Sequence, residues 1–347
     1  MPDLPNKASS YIAPFTRSIE ELWRLRSIVL IRCAALITTT AYPALVASAS
    51  DVSHVASTPS EVVSFSLAEE RLSSGRFTLS NGTVVSRADW PALVFARFAE
   101  ESCSGALVGP NVLLTSAHCV EDRQGRPRRA ELSKHGVTYS MSCERHPSYT
   151  KRRVIQNSTE PRASEDYALC AIDYRGRMPK QIERMSVEVI DLSAALRRGG
   201  NVLLTGYGCI DTRIVGREII STASADILRI GDARISRAPT PQWSDPAYVL
   251  IDSRDDSTPA LCPGDSGGPM FSGASESAQT GSRRIIGVNS AIALGRTGRS
   301  DHIISKVAAT TTKSFQSWAR DWHKRNAPVA PVLCGVSHFA GNFPCRE

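Results

Sequence analysis

From Trp90 onward the chain is a succession of short apolar runs broken by turn residues, and that rhythm constrains the fold more than any other feature. The runs cover residues 92–98, 112–116, 137–141, 168–172, 201–205, 248–251 and 285–293. They are rich in β-branched residues and are separated by clusters of Gly, Pro, Asn and Asp, the pattern of strands joined by turns. No long helical periodicity lies between them, which argues against a parallel βαβ sheet. An all-β sandwich or barrel is expected. One helix is expected late in the chain. Phe315, Trp318 and Trp322 fall at i, i+3 and i+7, on one face of a helix starting near Thr311. After Asn326 the chain turns Pro-rich, and residues 326–347 read as a small looped tail carrying Cys334 and Cys345. There is no internal repeat.

The nine cysteines form neither a CxxC pair nor a Cys/His cluster of zinc-finger spacing, so no metal site is expected, and no cofactor. The amino terminus points to an oxidising compartment. Arg24 and Arg26 precede an apolar stretch from about residue 33 to 47, and Ala47-Ser48-Ala49 offers small residues to a signal peptidase. The stretch is shorter than the about 20 apolar residues of a spanning helix. It is also interrupted by Thr38, Thr39, Thr40 and Pro43. Residues 1–50 are therefore read as a cleaved signal peptide. The chain is expected to be secreted, extracellular or periplasmic, with no stable membrane insertion after cleavage. Removing Cys33 leaves an even set of eight cysteines, as disulfide formation requires. Residues 51–78 are Ser-rich, weakly patterned and without cysteine, and read as a propeptide or linker. The net charge of +7 comes from scattered basic residues, with doublets such as Arg152-Arg153 and Arg283-Arg284 read as solvated faces. Without a long basic run or an aromatic-basic module, nucleic acid is not an expected partner.

Three short segments carry the chemistry. They are Thr115-Ser116-Ala117-His118-Cys119, then Asp166-Tyr167-Ala168-Leu169, then Cys262-Pro263-Gly264-Asp265-Ser266-Gly267-Gly268-Pro269. The first two say little alone. The third is highly specific, and the three occur in the order His, Asp, Ser. Together they resemble the histidine segment, buried aspartate and nucleophile loop of the trypsin/chymotrypsin family. Cys103-Ser104-Gly105 and Gly206-Tyr207-Gly208 extend the likeness, which covers roughly residues 79–322. The resemblance implies two six-stranded antiparallel β-barrels with a C-terminal helix, a protease domain over residues 79–325, and a monomer acting on protein or peptide substrates.

In that resemblance His118, Asp166 and Ser266 are the catalytic triad of a serine endopeptidase. A serine hydroxyl holds its proton and needs an adjacent base; an imidazole titrates in the right range to serve. The backbone N–H groups of Gly264 and Ser266 would form the oxyanion hole. Asp265 would pair with the ammonium of a freshly cut N-terminus at Leu79, reached after an earlier cut at Arg76. Cys103–Cys119 is the disulfide the family implies, and Cys143–Cys170, Cys209–Cys262 and Cys334–Cys345 are expected beside it. The pocket for the residue preceding the cleaved bond would be built by Ala260, Ser290 and Ile292. It carries no charge at its base, which favours small or medium aliphatic residues, and Asp301 or His302 would alter that preference if either faced inward.

Two rivals are weighed against this reading. Residues 264–268 also fit the G-x-S-x-G elbow of α/β-hydrolases, but Pro269 and a Gly/Ser-rich stretch follow the serine where that fold needs a helix. The other rival is a catalytically inactive protease-fold binding protein. Such a chain usually betrays itself by a replaced triad residue or oxyanion glycine, and none is replaced here.

Overall fold

The computed structural model describes residues 61–67, 81–98, 101–122, 124–134, 136–149, 164–209, 211–221, 227–254, 258–279, 282–298, 300–337 and 345. In chain order the strands begin with β1 (Val62–Ser66), β2 (Thr83–Val84), β3 (Leu93–Phe98), β4 (Glu101–Gly109), β5 (Val112–Thr115), β6 (Arg129–Lys134), β7 (Val137–Arg145) and β8 (Ala168–Ile172). They continue with β9 (Asn201–Gly206), β10 (Thr212–Val215), β11 (Glu218–Ser221), β12 (Arg229–Arg234), β13 (Tyr248–Ser253), β14 (Pro269–Ser272), β15 (Arg284–Thr297) and β16 (Ser300–Ala309). The α-helices are α1 (Lys180–Glu183) and α2 (Lys313–Asn326).

The fold is all-β and built on two large sheets. The first is a closed barrel in the order β1-β3-β4-β5-β8-β7-β6. The second runs β13-β16-β15-β14-β9-β12-β2. Its ends approach each other just past β12, where Ser236 N–H donates to the Leu250 carbonyl at 2.8 Å and Arg237 bridges Leu250. Each sheet is thus six antiparallel strands plus one. In the second the addition is the two-residue β2, paired to β12.

The addition to the first barrel falls within residues 51–78, the stretch read as a propeptide or linker, where residues 62–66 form a strand. β1 lies antiparallel to β3 and parallel to β6. Its alternation explains the placement: Val63 and Phe65 are fully buried among the interior residues of the barrel, while Val62, Ser64 and Ser66 are only partly so. The signal-peptide segment, Arg76, Leu79 and the Arg152-Arg153 doublet lie outside the described residues.

Each sheet has its own apolar interior, and a third cluster fills the space between the sheets. Trp90, Tyr167, Tyr207, Phe271 and Val288 meet there, and α2 packs onto it through Phe315, Trp318, Ala319 and Trp322. Burying each large apolar side chain contributes about 1.5–3 kcal/mol. The helix starts where its cap is: Thr312 Oγ1 accepts from Phe315 N–H at 3.2 Å. His323, Lys324 and Arg325 in its last turn suit the negative end of the helix dipole. Arg283 departs from the solvated-face reading of its doublet. It pairs with Glu188 at 2.6 Å and lies 3.8 Å over the Trp90 ring.

Four disulfides fasten this framework: Cys103–Cys119, Cys143–Cys170, Cys209–Cys262 and Cys334–Cys345. Cys143 and Cys170 are direct partners across β7 and β8. The tail docks on the first barrel, with Cys334 N–H donating to Val108 at 2.7 Å and its carbonyl accepting from Ile190 at 3.0 Å.

Candidate active site

His118 stands in the short 3-10 turn Ala117–Val120 that follows β5, and Asp166 lies two residues before β8. Because β5 and β8 are paired, with Thr115 opposite Ala168, the two residues are brought side by side. His118 Nδ1 is 2.7 Å from Asp166 Oδ2, and the His118 backbone N–H donates to Oδ1 at 3.0 Å. A carboxylate is an acceptor, so the Nδ1 proton is fixed and Nε2 is left as the basic nitrogen. Asp166 is 3% exposed at its side chain against 28% for His118. His118 therefore faces solvent while Asp166 does not.

A second donor reinforces the acid. Ser290 Oγ donates to Asp166 Oδ2 at 2.6 Å, which commits its proton, so the Tyr248 hydroxyl, 2.9 Å away, donates to Ser290. Tyr167, next to Asp166, anchors the segment from behind by donating its hydroxyl to the Ala309 carbonyl at 2.6 Å. His146 packs edge-on against Tyr167 and Trp318, and burial pulls its pKa down to about 4. Its Nδ1 accepts from Ser148 N–H at 3.2 Å, so the neutral ring carries its proton on Nε2, toward Ser314 Oγ.

Ser266 comes from the second sheet, on the loop between Cys262 and β14. That loop depends on glycine at two places. Gly264 has φ 101° and Gly267 φ 84°. A Cβ on Gly267 would sit 2.2 Å from both the Ser104 carbonyl and Thr115 Oγ1. The loop is therefore pressed directly on the first barrel. Ser104 N–H donates to the Ser266 carbonyl at 2.7 Å, and Ser104 Oγ donates to the Gly264 carbonyl at 2.8 Å. The Ser266 hydroxyl donates to the Ser290 carbonyl at 3.3 Å.

One dipeptide on β15 joins all three segments. The Asn289 carbonyl accepts both from Ser116 Oγ at 2.7 Å and from Gly267 N–H at 2.8 Å. Ser290 then touches Asp166 with its hydroxyl and Ser266 with its carbonyl. The segments that carry the three residues expected to act together are thus held by two adjacent residues of β15.

Asp265 is 1% exposed. Its Oδ1 accepts from Gly208 N–H at 2.8 Å and its Oδ2 from Cys262 N–H at 2.9 Å. Burial pushes its pKa up to about 6 against the pull of those two hydrogen bonds and of the Arg229 charge.

The expected pocket residues sit on neighbouring segments. Ala260 is buried, and its neighbour Leu261 donates its N–H to Ser305 Oγ at 2.9 Å. Ser305 is the β-ladder partner of Ile292, which packs partly buried against the interior of the second sheet. Asp301 is exposed, 3.8 Å from Arg296. His302 is buried, with Nε2 3.9 Å from Asp252 Oδ2.

The family profile described as Trypsin matches residues 79–319. The chain belongs to the trypsin family. Vitamin K-dependent protein C of Rattus norvegicus is 24% identical over 199 residues, covering 55% of this chain and 42% of that protein. Granzyme M of Homo sapiens is 24% identical over 240 residues, covering 65% of this chain and 80% of that relative. This chain therefore spans less than half the length of the protein C relative. β1 lies upstream of the stretch the Trypsin profile matches.

Within this trypsin-family frame, four side chains have contacts that the sequence did not reveal. Ser104 bridges the nucleophile loop to the Gly206-Tyr207-Gly208 turn, since it also accepts from Tyr207 N–H at 3.1 Å. Tyr248, Asn289 and Arg229 are the other three. Only Arg229 left a signal: a charged residue between Leu228 and Ile230, both buried, on a strand whose first half is buried throughout.

Proposed function

We propose that this chain is a secreted, monomeric serine endopeptidase that hydrolyses peptide bonds through Ser266, His118 and Asp166 and an acyl-enzyme intermediate. The observation that carries the reading is the Asn289–Ser290 dipeptide, which ties the histidine segment, the aspartate and the serine into one hydrogen-bonded unit.

The chemistry follows from the roles of the atoms. Ser266 Oγ turns from the Ser290 carbonyl toward His118 and attacks the scissile carbonyl carbon as Nε2 takes its proton. Asp166 stabilises the imidazolium that forms, because its Oδ2 already accepts from Nδ1. The substrate oxygen gains negative charge and is met by the N–H groups of Gly264 and Ser266. Removing one such donor costs about 2.7–4 kcal/mol in this kind of reaction. His118 returns the proton to the leaving amine, and the steps repeat with water to release the acid.

The pocket reading follows the same residues. Ala260 brings no charge to the pocket base, and Ile292 places a branched side chain where its mouth would be. Cleavage after small or medium aliphatic residues is the expected preference. It should be graded rather than absolute, since one methylene in an apolar pocket is worth only about 1–3 kcal/mol. Asp301, exposed beside Arg296, gives no reason to expect basic substrates.

Labelling with a serine-reactive phosphonate, followed by peptide mapping, tests the reading. Ser266 should be the modified residue, and the Ser266→Ala variant should neither label nor hydrolyse a peptide library. An unlabelled, correctly folded wild type would instead make this chain a binding protein on a protease fold.

A further inference from the structure

The buried carboxylate behind the nucleophile has a cation built into the fold. Asp265 sits in a cradle of backbone so tight that a Cβ on Gly206 or Gly208 would lie 2.2 or 2.5 Å from its Oδ1. Two N–H groups satisfy its oxygens, but a fully desolvated charge also needs an opposite charge nearby. Arg229 supplies it. This residue is on β12, in direct register with Gly206 of β9, and is 0% exposed. Its Nη1 donates to the carbonyls of Gly208 at 3.3 Å and Cys209 at 3.5 Å. The Gly208 peptide unit therefore receives the guanidinium on its oxygen and gives its N–H to Asp265. The charges of Arg229 and Asp265 attract each other.

We propose that Arg229 is the resident counter-ion of Asp265 and a positioning residue for the oxyanion hole, so that the Gly264–Ser266 loop is ordered without insertion of a newly cut N-terminus. The inference rests on the protease reading above and assigns to a side chain what the family resemblance assigns to the ammonium at Leu79. The two arrangements differ in one physical property. An α-amino group titrates at about 8, whereas a guanidinium keeps its charge beyond about pH 12. Asp265 follows Gly264 and precedes Ser266, so whatever holds its carboxylate holds both oxyanion donors.

The experiment is the rate of phosphonate labelling at Ser266 between about pH 7 and 10.5, on the full chain, for wild type, Arg229→Met and Arg229→Lys. With Arg229 in this role the wild-type rate does not fall before the top of the range, because a guanidinium, even one whose pKa burial lowers, remains charged there. Arg229→Met loses about 10²-fold, the scale of a missing oxyanion donor, and Arg229→Lys recovers most of that below the lysine pKa of about 10.4. A side chain that merely packed would not give back activity with a pH limit set by lysine. A wild-type rate that falls along a single titration near pH 8–9, with Arg229→Met within about threefold of wild type, overturns the proposal in favour of an N-terminal ammonium. Should Arg229→Met fail to fold, the wild-type profile alone decides between those outcomes. No labelling of folded wild type at any pH would sink the protease reading itself, a result distinct from either profile.

Discussion

In the proposed mechanism the acid–base half of the site and the nucleophile half are held by different chemistry. His118 and Asp166 are joined side chain to side chain, with Ser290 and Tyr248 extending the chain of hydroxyl donors outward. Ser266 is placed mainly by backbone, through amides and carbonyls of Ser104, Asn289 and Gly268 and glycines that let two peptide planes touch, with the Ser104 hydroxyl and the Asp265 carboxylate adding to it. The difference teaches where each half is fragile. Removing one hydroxyl from the first half weakens a pair that keeps its other bonds. Adding one carbon to the second half displaces a whole loop.

The largest effects should come from the reacting atoms themselves. Ser266→Ala and His118→Ala are each expected to lower kcat by on the order of 10⁶-fold with the fold intact, and the double variant should be little worse than either. Steady-state kinetics on the three variants checks this; additive losses would mean the two residues do not act as one unit. Next comes the backbone-held half. Gly208→Ala places a Cβ 2.5 Å from Asp265 Oδ1. It should cost about 10²-fold in kcat by disordering the oxyanion donors. Ser290→Ala removes a hydrogen bond to a buried carboxylate, which corresponds to about 10–100-fold in kcat, with KM little changed. Tyr248→Phe breaks the neutral bond one step further out and should cost only about 2–10-fold. If Tyr248→Phe proved as damaging as Gly208→Ala, the contrast between the halves would collapse.

The two halves also carry buried groups that oppose each other in acid. His146, behind Asp166, has its pKa lowered to about 4, so its unfolded form binds a proton first as pH falls. Its contribution to stability is complete above the unfolded value of about 6.5 and is lost as pH drops toward 4. Asp265 has its pKa raised to about 6, so the folded state favours the proton. Its contribution is complete below the unfolded value of about 3.9 and is lost as pH rises through 6. The two slopes run in opposite directions over nearly the same window. Urea unfolding at successive pH values should show the His146→Phe variant gaining on wild type as pH falls from about 6.5 to 4. Asp265→Asn should gain on wild type as pH rises through the window. Parallel curves for either variant would remove that residue from the account.

Much of this was legible beforehand where one physical signal dominated. The run at residues 168–172 is β8 to the residue, because five consecutive apolar positions buried on both sides leave no other reading. The helix bearing Phe315, Trp318 and Trp322 was visible from its spacing, with a start near Thr311 against the observed Lys313–Asn326. β1 was not legible, since two buried side chains among serines resemble a linker until partners on both sides are known. Arg229 escaped for the opposite reason: a charge on a strand reads as solvent-facing unless a buried acid elsewhere in the chain is brought against it. Ser290 was named as a pocket residue, but its bond to Asp166 joins residues 124 apart in sequence, beyond the reach of local pattern.

β1 has a consequence for any processing at Leu79. It is upstream of Leu79, and no cysteine lies between Cys33 and Cys103 to tether it. A cut at that junction would turn one barrel stave into a separate peptide, retained by its ladders to β3 and β6, by the burial of Val63 and Phe65 and by the Glu61–Arg128 ion pair. The barrel would then be a two-component complex governed by mass action, so that dilution, or a competing strand of similar pattern, would set how long it stays closed.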